Sequence, residues 1–168
     1  MFVSDFVALE VALPIVVEGV AGRDAVPLGP LVDDAWRHVL RSWQGGELGP
    51  APPDGSAPPT VAVGPVHYRH RCAVAPLAWF GGPGWCPTFD GDLEVFRLAR
   101  TRSRLALAGV CRWPAPVAES RRAGAAAEVV TDLALRRLLV GWAAAIEGAL
   151  ATPPGPAVAG AGGGTRPR

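Results

Sequence analysis

Ser103-Arg104-Leu105-Ala106-Leu107-Ala108-Gly109-Val110-Cys111-Arg112-Trp113 is the stretch on which the fold turns. Read as a strand, it sets Leu105, Leu107, Cys111 and Trp113 on one face with Gly109, and Arg104 and Arg112 on the other, because side chains alternate across a strand. The first face turns inward and needs a cover. Asp90 to Leu98 is a second strand-like run, joined to the first through Ala99 to Arg102, and the two pair as a hairpin. Asp90, Asp92 and Glu94 alternate along it and share a face. Like charges so placed read as a wet outer surface rather than as paired catalytic carboxylates.

The cover lies towards the C-terminus. From Glu119 to Leu150 there is no proline, and Leu135, Leu138, Leu139, Trp142, Ile146 and Leu150 form an apolar stripe opposite Asp132, Arg136 and Glu147. That spacing predicts one long amphipathic helix. Gly141 and Gly148 each weaken it by about 1 kcal/mol relative to Ala, although a small residue also lets a neighbour approach closely. Pro153-Pro154 stops the helix, and residues 152–168 hold too few apolar groups to order.

Upstream, Phe2 to Val11 is rich in Val and Phe with polar interruptions, which predicts an antiparallel strand. Pro14 to Ala21 is ambiguous: Pro14 suits a helix start, while Ile15, Val16, Val17 and Val20 favour a strand. Leu31 to Trp43 repeats apolar residues at helical spacing, with Pro30 before it, acids in its first turn and Arg41 in its last. Asp33 and Arg37 add a four-apart ion pair. Gln44 to Pro59 is rich in Gly and Pro and predicts a long exposed loop. Thr60 to Val66 and Cys72 to Phe80 read as strands, with His67-Tyr68-Arg69-His70-Arg71 near the turn between them.

An antiparallel sheet followed by one long helix needs that helix over its apolar face, giving an α+β domain over residues 1–151. This order resembles the helix-grip fold: a curved antiparallel sheet around a long C-terminal helix, with short helices after the first strand. More specifically, the chain resembles actinobacterial members of the SRPBCC superfamily, which holds START-like lipid carriers and polyketide cyclases. The residues that carry the resemblance are Phe2-Val3-Ser4-Asp5-Phe6-Val7, Pro76-Leu77-Ala78-Trp79, Phe89-Asp90-Gly91-Asp92-Leu93-Glu94-Val95, and the run from Thr101 to Val110 into the last helix. None is a catalytic signature, so the resemblance implies a fold more than an activity.

Composition narrows the partners. A net charge of +1 leaves no field to attract nucleic acid or an anionic membrane. All sixteen basic residues are Arg, but fifteen carboxylates stand against them, which indicates compositional bias rather than phosphate recognition. No apolar run approaches the ~20 residues that span a bilayer. Three cysteines at wide spacing, Cys72, Cys86 and Cys111, fit a reducing cytoplasm. The start of the chain carries Asp5 and Glu10 but no basic residue before Arg23, unlike a signal peptide.

A sheet gripping a helix can enclose an apolar pocket. Trp79, Leu93, Val95, Leu105, Leu107 and Trp113 on the strands would face Leu135, Leu139 and Trp142 on the helix. These residues would bind a small hydrophobic molecule, lipid- or polyketide-like, with no cofactor and no metal. Core packing alone produces the same periodicity. An enzyme of the polyketide cyclase or aromatase kind is the alternative, with Tyr68, Arg69 and His70 moving a proton and stabilising an enolate. A protein-interaction module is another, since apolar grooves also receive partner helices. His67, His70 and Cys72 are of metal-ligating types, but an extended segment sends the two histidines to opposite faces. Cys111 on the inward face reads as a small buried hydrophobe rather than a nucleophile.

Overall fold

The computed structural model describes residues 1–22, 25–43, 48, 57–80, 86–115, 117 and 121–151. Most of the expected loop at 44–59, all of the tail at 152–168 and the Leu150 side chain lie outside the described residues. In order, the chain forms β1 (Phe2–Leu9), α1 (Leu13–Ala21), α2 (Leu28–Ser42), β2 (Thr60–Val63), β3 (His67–Arg69), β4 (Cys72–Phe80), β5 (Thr88–Ala99), β6 (Arg102–Arg112) and α3 (Arg121–Ala151). The strands run β1-β6-β5-β4-β2, all antiparallel, with β3 also paired to β4. This is the α+β helix-grip architecture, with the short helices after the first strand and the long one at the end.

The hairpin register explains why the inward face is apolar. Leu93 pairs with Leu107 and Val95 with Leu105, so large side chains meet across β5 and β6. At Gly91 and Gly109, also partners, the two strands approach closely, and the tip of the Phe89 ring lies over both glycines. No side chain fits there, which permits the sheet to bend. Phe89 then stacks on its cross-strand partner Trp79, ring centroids 4.3 Å apart. α3 closes this face with Val130, Ala134, Leu135, Leu138, Leu139, Trp142 and Ile146, all buried. Each large apolar side chain so buried contributes about 1.5–3 kcal/mol.

Three local differences from the sequence reading have physical causes. Pro14 to Ala21 resolves as helix, because Val16, Val17 and Val20 gain a core position that outweighs their strand preference. α2 begins at Leu28, three residues before the expected start, so Asp33 and Asp34 lie beyond its first turn, while Arg37 still pairs with Asp33 at 2.8 Å. The expected strand Thr60 to Val66 stops at Val63 and resumes as β3. Gly64 donates to the Pro76 carbonyl at 2.7 Å, so that side of Pro76 faces the interruption. Proline offers no N–H there, and the ladder breaks.

Candidate functional site

Eight of the nine side chains expected to line a pocket, Trp79, Leu93, Val95, Leu105, Leu107, Leu135, Leu139 and Trp142, are at most 2% exposed and belong to one core cluster. They pack on one another. A void bordered by Leu93 and Val95 measures about 10 Å³, room for no more than a water. The ninth, Trp113, is only partly buried and stands at the end of β6.

Trp113 is held on two sides. Its indole N–H donates to Thr131 Oγ1 at 3.0 Å, and that hydroxyl donates to the Ala127 carbonyl one turn earlier at 2.6 Å. The Trp36 ring of α2 meets it edge-on, centroids 5.7 Å apart and planes at 84°. α2, α3 and β6 therefore fix one aromatic wall. Beside it opens a cleft of about 310 Å³ bordered by Met1, Cys111, Arg112, Trp113, Gly124, Ala127 and Glu128. A Cβ built at Gly124 would meet nothing within 4 Å, so the α3 wall stands back at this point.

Few ionisable groups border the cleft among the described residues. Burial pushes the Cys111 thiol up to about 12, against a smaller opposing pull from the N-terminal ammonium. It is a protonated thiol at neutral pH, not a nucleophile. Glu128 and Arg112 supply an acceptor and a donor at the mouth, both exposed. A second concavity of about 370 Å³, between α1, the start of α2 and β2, is bordered by residues such as Val20, Gly22, Pro27 and Val61, with no polar side chain among the described residues that border it.

The other candidates sit elsewhere. Tyr68, Arg69 and His70 are exposed on the β3–β4 hairpin, Tyr68 by 68%, with His70 at φ 39° in the turn. Asp90 and Asp92 are exposed on the outer sheet face, as the alternation predicts. Among the described residues, no three His, Cys, Asp or Glu side chains converge as metal ligands, and no helix is long and apolar enough to cross a membrane. Sequence reasoning missed Gly124 and Glu128, which a core-facing stripe does not mark.

The sequence matches no protein-family model and no curated protein. Among solved structures, a conserved protein from Geobacillus kaustophilus is similar with a TM-score of 0.45 and 13% identity over 85% of this chain and 95% of the other. A hypothetical protein from Helicobacter pylori gives 0.39 and 11% over 83% and 86%. The Zhui aromatase/cyclase from a Streptomyces species gives 0.39 and 14% over 89% and 95%. Superpositions below a TM-score of 0.5 carry no information on chemistry, so the function of this chain rests on its own residues.

Proposed function

We propose that this protein binds a small, predominantly apolar molecule in the cleft beside Trp113. The observation that carries the reading is an open cleft of about 310 Å³ against an indole already anchored by Thr131 and Trp36. A preordered aromatic wall binds without a further ordering loss. The volume lies near the low end of small-molecule sites, which favours a ring compound over a long acyl chain. Glu128 would accept a hydrogen bond from a hydroxyl or amine on the guest. The packed core behind the cleft serves as its scaffold.

Gly124→Leu tests this directly. The new side chain enters open space, replaces a poor helix former, and occupies the cleft. Native mass spectrometry of freshly purified protein, followed by a thermal-shift panel of monocyclic and bicyclic compounds, should show binding to the parent and none to the variant, which melts higher. A guest that binds both equally well would refute the assignment.

A further inference from the structure

α3 buries one face and leaves the opposite one bare. Val129, Leu133 and Val140 are 49%, 51% and 49% exposed, and their spacing puts them on one outward stripe of the helix. Arg136 interrupts this stripe, but its guanidinium is drawn aside to the Phe6 carbonyl at 2.6 Å and to Asp5 at 3.4 Å. Its aliphatic stem is left to continue the apolar surface.

The stripe is complementary to its own reversal. About the midpoint between Ala134 and Leu135, Val129 mirrors Val140, Ala125 mirrors Ala144, and Leu133 mirrors Arg136. One step further out, Arg122 mirrors Glu147, two exposed side chains of opposite charge. Neither has an ion-pair partner among the described residues. A twofold axis through that midpoint would lay two α3 helices antiparallel, with each Val129 against the other copy's Val140. Both ends would close through an Arg122–Glu147 contact. An isologous contact requires self-complementarity of this kind, in which residue i meets j and j meets i.

We infer that α3 is the interface of a homodimer, formed by antiparallel pairing of this stripe with the same stripe of a second copy. Charge complementarity selects the second copy over an unrelated helix: a parallel arrangement would set Arg122 against Arg122 and Glu147 against Glu147. Gly124 and Ala127 lie off the stripe, so pairing leaves the Trp113 cleft open.

Sedimentation equilibrium of the full chain at micromolar concentration tests the inference. The parent should be a dimer, and Val140→Glu should be a monomer with an unchanged circular dichroism spectrum. Glu147→Arg should dissociate on the order of tenfold more readily, since two symmetry-related pairs are lost. Adding Arg122→Glu to it should restore the parent value. These charge changes are at exposed positions, so they keep the test sound if Val140→Glu impairs folding. A monomeric parent, a dimer indifferent to Val140→Glu, or a charge-swapped double variant as weak as the single one would overturn the pairing.

Discussion

Trp113 and Thr131 are joined by a hydrogen bond of 3.0 Å that ties the end of β6 to the middle of α3. Thr131 is fully buried, and its own proton is committed to Ala127. The hydroxyl therefore accepts from the indole and donates to the helix at once. Thr131→Val keeps the shape and removes both bonds. It should destabilise the protein by about 1–3 kcal/mol in denaturant titration, while Thr131→Ser should stay near the parent.

The two fully buried indoles of Trp79 and Trp142 should respond differently to the same change. Trp79 donates to the Pro87 carbonyl at 3.0 Å, whereas the Trp142 nitrogen has no partner among the described residues. Replacement by Phe leaves a cavity in both cases. Only Trp79→Phe also removes an N–H donor from a carbonyl, leaving Pro87 O with the weaker Cys86 Sγ contact at 3.4 Å, so it should be the more destabilising by about 1 kcal/mol in matched unfolding curves.

Glycine replacements should divide by location. A Cβ at Gly141 would meet Leu31 at 3.9 Å, ordinary contact, so Gly141→Ala should stabilise α3 by about 1 kcal/mol. A Cβ at Gly109 would lie 2.6 Å from the Asp90 carbonyl oxygen and 2.7 Å from the Gly91 Cα. Backbone cannot yield as a side chain does, and Gly109→Ala should destabilise by about 3 kcal/mol or more. Thermal unfolding of the two variants checks both signs.

Stability should fall at alkaline pH through the buried thiols. Cys111 is pushed up to about 12 from an ordinary 9.0, and burial raises Cys86 as well. An unfolded chain ionises both near 9, so above that pH it holds fewer protons than the folded one and unfolding gains. The contribution is whole below pH 9 and is lost as pH rises towards 12, at about 1.4 kcal/mol per pH unit for each thiol. The chain has no Lys, and the third thiol, Cys72, only partly buried, is raised in the same direction and adds to the decline. Denaturant stability measured between pH 9 and 11 should decline steeply, and a Cys86→Ala, Cys111→Ala variant should flatten the slope.

The strands and α3 were legible because burial imposes a period: Leu105 and Leu107 alternate with small and charged residues, and Leu135, Leu139 and Trp142 recur at helical spacing. The short elements were less so. The start of α1 and the break between β2 and β3 depend on tertiary contacts and on the N–H that Pro76 lacks. The cleft was hardest to read. Periodicity marks which side chains turn inward but not whether they leave space between them, and here eight of the nine expected residues fill it. Of the nine, Trp113 borders the cleft, because its place at a strand end puts it where the packing stops.

Binding beside Trp113 is tested most directly by nuclear magnetic resonance titration with a ring compound that raises the melting temperature. The indole N–H of Trp113 and the amides of Cys111, Gly124, Ala127 and Glu128 should shift together and saturate at one ligand per chain, while the Trp79 and Trp142 indoles stay put. Shifts centred on those two core indoles, or on the exposed Tyr68–His70 hairpin, would contradict it.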